Sequence, residues 1–351
     1  MHAVGSNLGR LTTLQLGGPA QRVVEATDDQ QIIQTVRDAT RRDEAILLLA
    51  GGSNVVIADD GFDGTAIVIR TRGIEARVNG DSVRVRVAAG EPWDSVVEQS
   101  IREGWSGLEA MSGIPGSAGA TPIQNVSAYG QEISERIVSV RVYDRESDSV
   151  YDMATPDCGF AYRLSVFKHS NRWVVLSVEL ELAVSSRSAP IRYAELAAAL
   201  GVEAGDQVET EAVRDAVRKL RAGKGMVLDP ADPDTYSVGS FFTNAVLDAH
   251  AYRLLEQRAE AVGVGRPAGH PAPDGSVKVS AAWLIERAGF HKGYGGTDVA
   301  ISSKHTLALT NRGRGTTTAL LALAKEIRDG VHERFGVLLH PEPVLVNCSL
   351  D

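Results

Sequence analysis

Residues 111–130 read MSGIPGSAGATPIQNVSAYG, and none of these twenty positions carries a charged side chain. Glycine recurs every third residue from Gly113 to Gly119 and closes the segment at Gly130. Because glycine has no Cβ atom and accepts positive φ, such backbone can come close to a flat or anionic ligand. The segment is too polar to span a membrane. It predicts either a loop that holds a cofactor or a glycine-rich connection between strands.

A second glycine loop favours the first of these interpretations. Gly51-Gly52-Ser53-Asn54 lies between two apolar runs, 45–49 and 55–57, which are typical of buried strands. Consecutive glycines followed by a hydroxyl and an amide expose a row of backbone N–H groups, an arrangement that binds pyrophosphate. The chain has no P-loop lysine motif. Two such loops predict one extended dinucleotide that lies along both.

Composition and charge disfavour several classes of function. With 351 residues and 43% hydrophobic content the chain can bury a large core, and its length favours about two to three domains. The net charge is −9, from 36 basic and 45 acidic residues, and no basic stripe with interleaved aromatic residues occurs. Binding to nucleic acid or to an anionic membrane is therefore disfavoured. Residues 1–18 lack the basic and apolar regions of an export signal, so we expect a cytoplasmic chain.

The cysteine and histidine patterns indicate neither a disulfide nor a metal site. Cys158 and Cys348 are far apart and belong to no paired motif, as expected in a reducing compartment. The eight histidines show no metal-binding spacing such as His-Glu-X-X-His. We therefore expect solvated or packed imidazoles and no bound metal.

Hydrophobic periodicity predicts an α+β first half and a more helical second half. Strands are expected at 22–25, 45–49, 55–57, 65–70, 137–143 and 173–182, and Asn79-Gly80 is a hairpin signal between 75–78 and 83–87. One helix is expected to be capped by Thr27, and another to begin with Pro92 in its first turn and run to Glu103. Further helices are expected at about 209–221, 248–262 and 316–334, before a final strand at 343–347.

Residues 263–268, GVGRPA, match the letters of the dinucleotide-binding fingerprint. They follow a predicted helix, however, whereas the fingerprint follows a strand. Pro267 also lies where the fingerprint requires the start of a helix. We interpret the segment as a loop that ends a helix, and predict no Rossmann unit.

Candidate catalytic residues occur in three segments that are far apart in sequence. Arg163 lies in AYRLSVFK at 161–168, Ser240 in VGSFFTN at 238–244, and Glu342 in HPEP at 340–343. Each also fits a structural role, namely a surface arginine, a serine in a hydrophobic turn and a glutamate at a strand end. The residues alone do not decide between the two readings.

Nearly end to end, the sequence resembles the UDP-N-acetylenolpyruvoylglucosamine reductases, the MurB family. The matching segments are Leu16-Gly17-Gly18, Gly51–Asn54, Ile114–Gly130, Tyr162–Lys168, Gly239–Asn244, Asp274–Lys278 with Ala282–Ile285, and Pro341-Glu342. The resemblance implies an α+β protein with the FAD-binding fold of the vanillyl-alcohol-oxidase type. It further implies an FAD-binding domain at 1–205, with lobes at about 1–70 and 71–205, and a substrate-binding domain at 206–335. A terminal strand at 336–351 would return Glu342 to the active site.

The resemblance implies reduction of the enolpyruvyl group of a UDP-sugar by NADPH through FAD. A hydride added to the terminal carbon leaves negative charge on the neighbouring carbon and its carboxylate. By resemblance, Arg163 and a protonated Glu342 stabilise this charge, and Ser240 donates the proton. NADPH is expected in the same cleft as the sugar, which explains why the sequence has no second nucleotide fingerprint. We expect a monomer.

The resemblance also implies the binding residues. FAD is assigned to Gly51, Gly52, Ser53, Asn54, Gly113, Ile114, Pro115, Gly116, Gly119, Ala120, Thr121, Gln124, Asn125, Tyr129 and Gly130. The substrate is assigned to Tyr162, Lys224, Asn244 and Tyr193, with Lys224 and Asn244 on its pyrophosphate. Tyr193 corresponds to the tyrosine of a subclass with an extra loop over the diphosphate.

Three positions depart from the family pattern: His340 where a glutamate is frequent, Ala245 where proline is frequent, and Thr297-Asp298 where glycines are common. These bear on substrate contacts and not on the proton donor. Two alternatives stay open. Another flavin oxidoreductase of the same fold is one, although many of those bind FAD covalently through a histidine in the first glycine loop, where Ser53-Asn54 has none. A non-catalytic protein that binds flavin or a nucleotide sugar is the other.

Overall fold

Helices and strands alternate along the computed structural model, which describes residues 7–272 and 274–350. The chain divides into two compact units, each built from several segments. Among the described residues, the first unit comprises 20–52 and 63–227, and the second comprises 7–19, 53–62 and 228–350. This division follows residue 227, whereas the predicted domains divide at 205. The assignment of FAD and substrate to separate domains stays a prediction.

The strands are numbered in chain order. They are β1 (Ala20–Ala26), β2 (Ala45–Leu49), β3 (Val55–Ile57), β4 (Phe62–Ile69), β5 (Ile74–Asn79), β6 (Ser82–Ala88), β7 (Trp105–Ser106), β8 (Ser127–Ala128), β9 (Gln131–Glu132), β10 (Ile137–Asp144), β11 (Ser149–Ala154), β12 (Trp173–Val184), β13 (Ala245–Leu247), β14 (Gly269–Pro271), β15 (Val277–Val279), β16 (Val299–Ile301), β17 (Leu309–Asn311) and β18 (Val344–Val346). The α-helices are α1 (Asp29–Arg41), α2 (Trp93–Arg102), α3 (Ala194–Leu200), α4 (Thr210–Gly223), α5 (Ala249–Ala261), α6 (Ala281–Arg287) and α7 (Thr317–Phe335).

Two sheets form the first unit around one apolar core. The smaller sheet has the order β1-β4-β2, with β2 and β4 parallel. The larger is ordered β11-β10-β12-β6-β5, its neighbours antiparallel, and β7 adds to β12. On β6, Val83, Val85 and Val87 are buried in alternation with more exposed residues, the period that a half-buried strand requires. The same core takes Ile32 and Val36 from α1, so both sheets share it.

The second unit packs helices over short strands. Its strands form the three-stranded sheet β13-β15-β14, the pair β16-β17 and the parallel pair β18-β3. The long helix α7 buries an apolar stripe that includes Leu320, Ala324, Ile327 and Val331, at the three- and four-residue spacing of one helix face. This stripe packs with residues of α5 and α6 in one core.

Local chemistry explains where several elements begin and end. Asp28 caps α1 by accepting from Gln31 N at 2.8 Å, so the predicted cap at Thr27 is wrong by one residue. Pro92 has extended ψ and is the N-cap of α2, whereas the sequence predicted it within the first turn. The helix therefore begins one residue later, at Trp93. The hairpin β5-β6 forms as predicted, but its two-residue turn is Gly80-Asp81, because Asn79 still pairs with Ser82. The fingerprint-like segment at 263–268 follows the end of α5, which confirms that it ends a helix.

In the part of the chain that the structure describes, no helix combines the length and the apolar character needed to cross a bilayer.

Candidate functional site

The two glycine loops touch backbone to backbone in the first unit. A Cβ atom added to Gly51 would lie only 2.6 Å from Gly116 Cα, a distance that real Cβ contacts do not show. Gly119 is equally close to Ala89, since a Cβ there would lie 2.5 Å from Ala89 Cβ. The loops can approach this closely only because both positions lack side chains. This contact supports the prediction that one extended ligand lies along both loops.

The 111–130 loop is fixed to its unit by a half-buried acid. Asp94, on α2, accepts from Gly113 N at 2.6 Å. The same carboxylate receives two hydrogen bonds from the buried Arg214 of α4, at 2.7 and 3.0 Å. Burial raises the pKa of Asp94, but the hydrogen bonds from Arg214 and Gly113 outweigh it and hold the pKa below its usual value. Gly113 itself has a φ of +70°, so the loop needs glycine there.

Two polar atoms beside this loop are buried and have no hydrogen-bond partner among the described residues. They are Ser117 Oγ, within the loop, and Arg221 Nε, on α4. A Cβ on Gly113 would lie 3.6 Å from Arg221 Nε, so this atom faces the loop. Burial lowers the pKa of Arg221 to about 10. Buried groups of this kind are usually satisfied, so a hydroxyl and a guanidinium here are suited to an anionic or hydrogen-bonding ligand.

Asn125 stabilises the second half of the loop. Its φ is +47° and it is buried. Its amide donates to Glu132 Oε2 at 2.8 Å and to Ala161 O at 3.3 Å, and it accepts from Ser134 N at 3.1 Å. These bonds hold the loop against the segment that carries Tyr162 and Arg163. The other loop positions assigned to FAD, Ile114, Pro115, Ala120, Thr121 and Gln124, lie in the same loop.

Arg163 occupies the tip of a tight turn. Ala161 and Leu164 exchange two backbone hydrogen bonds of 3.1 Å around Tyr162-Arg163. Arg163 has a φ of +54°, which is uncommon for a residue with a side chain. Its Nη1 donates to Ser127 Oγ, in the glycine loop, at 2.8 Å, and its guanidinium lies 5.7 Å from the ring centroid of Tyr162. The predicted catalytic arginine therefore contacts the predicted cofactor loop.

Three more predicted residues meet at the end of this loop. The rings of Tyr129 and Tyr193 pack edge to face with centroids 5.7 Å apart. Lys224 Nζ lies 5.8 Å from the centroid of Tyr129. The same ammonium group lies 2.6 Å from Glu195 Oε2. Burial raises the pKa of Tyr129, so this ring is neutral where it faces the lysine.

In the second unit, Ser240 and Glu342 lie on two paired backbone segments. Glu342 N donates to Phe241 O at 2.8 Å, and Thr243 N donates to His340 O at 3.0 Å. Ser240 directly precedes Phe241, so the pairing sets the predicted proton donor beside the segment of the predicted catalytic glutamate. Phe241 and Phe242 are buried. They fix the segment from the apolar side.

The turn before Ser240 is held by a chain of hydrogen bonds. Thr13 Oγ1 donates to Ser237 O at 2.6 Å, and Gly239 N donates to Ser237 Oγ at 3.2 Å. Gly239 has a φ of +77°, which allows the sharp turn. These contacts restrict where the Ser240 hydroxyl can lie.

The remaining predicted residues of the second unit are also placed. Asn54 O accepts from Val344 N at 3.0 Å, so the end of the first glycine loop lies beside the strand that follows Glu342. Asn244 Oδ1 accepts from Ala281 N at 3.0 Å, which orients the amide. His340 is exposed, and its backbone carbonyl pairs with Thr243. Thr297 and Asp298 are at the surface, where Asp298 pairs with Arg314 at 3.3 Å.

Sequence reasoning missed three residues of this arrangement: Ser117, Glu195 and Asp94. It noted Arg221, with Lys224, before the segment of Ser240 but assigned it no role. Arg221 precedes Lys224 by one helical turn, a spacing that could have indicated a basic pair on one face. No pattern marked Glu195 or Asp94, because single acidic residues on helices are ordinary surface residues.

The described residues contain no cluster of histidine, cysteine or acidic side chains that could hold a metal ion. Cys158 is buried, and burial raises its pKa to about 12, so its thiol is protonated and inert at neutral pH.

A sequence profile described as "FAD binding domain" matches residues 20–151, and one described as "UDP-N-acetylenolpyruvoylglucosamine reductase, C-terminal domain" matches residues 230–346. The UDP-N-acetylenolpyruvoylglucosamine reductase of Salinispora arenicola is 59% identical over 348 residues, covering 98% of this chain and 95% of that protein. The reductase of Thermobifida fusca is 55% identical over 346 residues, covering 98% and 97%.

Among solved structures, the UDP-N-acetylenolpyruvylglucosamine reductase from Thermus caldophilus superposes with a TM-score of 0.63 at 22% identity, covering 97% of each chain. At that identity the likeness concerns the fold, and it confirms the predicted α+β, FAD-binding fold. The sequence relatives carry the assignment further, because they exceed half identity over almost the whole chain. The chain therefore belongs to the UDP-N-acetylenolpyruvoylglucosamine reductase family.

Proposed function

We propose that Arg163, Ser240 and Glu342 carry out the chemistry of this enzyme. As a member of its family, the protein is an FAD-dependent oxidoreductase of peptidoglycan precursor synthesis. It uses NADPH to reduce the enolpyruvyl group of UDP-N-acetylglucosamine enolpyruvate to UDP-N-acetylmuramate. In the second unit, the residue assignment rests on the backbone hydrogen bonds that pair the segment of Ser240 with the segment of Glu342.

The residues present fit FAD. Gly51 and Gly116 leave the backbone bare where the two loops meet, and Ser117 Oγ, within the 111–130 loop, and Arg221 Nε, beside its Gly113, are buried without hydrogen-bond partners among the described residues. The loop residues assigned by resemblance, joined by Ser117 and Arg221, would hold the cofactor. FAD supplies the hydride once NADPH has reduced it.

The protein groups then handle charge and a proton. The Arg163 guanidinium would stabilise negative charge that develops beside the substrate carboxylate, and the contact with Ser127 at 2.8 Å holds it in place. Glu342 would act in its protonated form, since a carboxylate would repel that charge. Ser240 would donate its proton to the carbon. A hydroxyl is a weak acid, but a carbanion is basic enough to accept its proton in a fixed geometry.

Lys224, Tyr193, Tyr162 and Asn244 would bind the UDP-sugar, with Lys224 and Asn244 on the diphosphate. The contact of Lys224 with Tyr129, and of Tyr129 with Tyr193, supports one binding surface for these side chains in the first unit. We further infer that the protein works as a monomer, because one chain supplies all three proposed catalytic groups. We place it in the cytoplasm, where NADPH is available.

One experiment tests the reaction and the proton donor together. Under anaerobic conditions NADPH should bleach the yellow flavin spectrum, and the enolpyruvyl sugar should restore it. In Ser240→Ala the bleaching should be unchanged, whereas reoxidation by the sugar should slow by about a hundredfold or more. A spectrum that NADPH does not bleach would indicate a binding protein. Bleaching without reoxidation by the sugar in the wild type would indicate another flavin oxidoreductase, and normal turnover of Ser240→Ala would refute the proton-donor role.

A further inference from the structure

Lys224, which the proposed function assigns to the substrate diphosphate, already has an anionic partner in this structure. Its Nζ lies 2.6 Å from Glu195 Oε2. The side chains are 34% and 38% exposed, respectively. Ion pairs as exposed as this contribute little to stability. The pair is therefore not needed to hold the fold, and a ligand can displace it.

The fold fixes the distance between the two groups. Lys224 is the C-cap of α4, and Glu195 lies in the first turn of α3. The two helices pack through an apolar cluster formed by Ile191, Leu196, Ala197, Val213 and Val217. Glu195 also follows Tyr193 by two residues, so it belongs to the segment that the proposed function assigns to the diphosphate. The packing of α3 against α4 thus keeps a carboxylate within reach of the lysine.

Two anions cannot share one ammonium group at this distance without repulsion. A diphosphate that binds Lys224 must either displace Glu195 or lie beside its negative charge, and both cost binding free energy. Among the described residues, Lys224 also contacts the neutral ring of Tyr129, and no second cation pairs with Glu195. The carboxylate therefore opposes the same ligand that the lysine attracts.

We propose that Glu195 competes with the diphosphate of the nucleotide substrates for Lys224 and so weakens the binding of both. The inference rests on the proposed function, which places the diphosphate at Lys224. NADPH and the UDP-sugar both carry a diphosphate, and each must leave before the next can bind if they share a cleft. A competing carboxylate shortens the residence of both, since affinity differences are expressed mostly in the dissociation rate.

The test measures binding to the oxidised holoenzyme, in which no turnover occurs without NADPH. UDP-N-acetylglucosamine enolpyruvate is titrated by calorimetry into the wild type and Glu195→Gln. The variant keeps the shape of the side chain and removes its charge, and its Kd should be about two- to tenfold lower. The matched control is Glu135→Gln. Glu135 pairs with Arg192 at 2.7 Å in a similarly exposed ion pair next to the same segment, and its loss should leave the Kd unchanged.

Lys224→Met separates the inference from the proposed function. If Lys224→Met weakens binding tenfold or more but Glu195→Gln binds no more tightly than the wild type, Glu195 is not a competitor, and the proposed function stands. If Lys224→Met binds the sugar as well as the wild type does, the diphosphate assignment of Lys224 fails, and the inference fails with it. Tighter binding in both Glu195→Gln and Glu135→Gln would show a general charge effect and would also overturn the proposal.

Discussion

Gly51 and Gly116 are in contact through their backbones, although 64 residues separate them in the sequence. Gly51 lies just after the end of β2. Gly116 lies three residues before Gly119, where a side chain would clash with Ala89. Gly116 O also accepts from Trp93 N, the first residue of α2. The loops thus meet because a strand end and a helix start hold them at one place, and the bare surface that results suits the backbone of a dinucleotide.

Gly51→Ala should cost the protein its FAD. Gly51 has no strained φ, so the cost is steric: the new Cβ would lie 2.6 Å from Gly116 Cα, and backbone must move. Overpacking of this kind costs about 1–3 kcal/mol. We expect a lower melting temperature and purified protein with little bound flavin, measured by the absorbance ratio of flavin to protein. Gly296→Ala is the control, because a Cβ there meets nothing closer than 3.8 Å. A fully loaded Gly51→Ala protein would contradict the close contact.

Asp94→Asn should destabilise the protein in a pH-dependent way. At pH 7 the substitution removes the charge that accepts both short hydrogen bonds from the buried Arg214 and leaves it only Glu98, at 3.8 Å, so the free energy of unfolding should fall by about 2 kcal/mol. The pKa of Asp94 is lowered in the folded state, so its stabilisation is present above the usual carboxyl pKa of about 4. It is lost as the pH falls through the lower folded value.

Urea unfolding at pH 7, 5, 4 and 3 tests this prediction. The difference between wild type and Asp94→Asn should be constant down to about pH 4 and shrink below it. Asp38→Asn removes an exposed ion pair with Arg41, and should cost less than about 0.5 kcal/mol at any pH. A deficit for Asp94→Asn that is the same at pH 3 and pH 7 would rule out the carboxylate as its cause.

The sequence predicted the elements whose signals are local. β2 and β3 have the predicted bounds, and the predicted hairpin forms within one residue of the Asn79-Gly80 signal, with its turn at Gly80-Asp81. The small errors at Thr27 and Pro92 arise because neighbouring residues compete for the cap position and hydrogen bonding decides between them. The strand β11 and helix α6 were not predicted, because β11 is almost wholly exposed and α6 has only seven residues.

The roles of the site residues could be predicted only through the resemblance to a known family. No spacing shows that the backbone of Glu342 pairs with that of Phe241, since tertiary packing and not local chemistry joins these segments. The roles of Arg221 and Glu195 were not predicted for a different reason. On a helix, a charged residue that faces a buried loop and one that faces water look the same in the sequence, and only burial distinguishes them.

Arg221→Met should weaken FAD binding without destabilising the apoprotein. The wild-type Nε atom is buried and has no partner in the described structure, and burial lowers the pKa of Arg221 to about 10. An apolar side chain of similar length loses the 2.9 Å hydrogen bond from Arg221 Nη2 to Met226 O but avoids the desolvation of the guanidinium, so the apoprotein should melt close to the wild-type temperature. Loss of the guanidinium should raise the Kd for FAD by about tenfold or more.

Flavin fluorescence, which rises when FAD is released, measures the affinity for the cofactor. Differential scanning calorimetry of the apoprotein measures its stability separately. Arg218→Met is the matched control, because Arg218 lies on the same helix with its Cγ 3.6 Å from the Cβ position of Gly113, and it should keep FAD. Undiminished FAD affinity in Arg221→Met would show that the guanidinium does not contact the cofactor.

Arg163→Gly and Arg163→Ala separate the strain at this residue from its chemistry. Both remove the guanidinium and its bond to Ser127, so both should reduce the flavin with NADPH and fail to reoxidise it with the sugar. They differ in the backbone, because a φ of +54° costs alanine about 1 kcal/mol that glycine does not pay. Arg163→Gly should therefore be the more stable variant by about that amount, measured by urea unfolding. The Lys168 side chain bonds to the backbone carbonyl of residue 163, so this contact is common to both variants and does not bias the comparison. If the alanine variant were as stable as the glycine variant, the positive φ would relax in solution, and the turn would not hold the guanidinium in a fixed position.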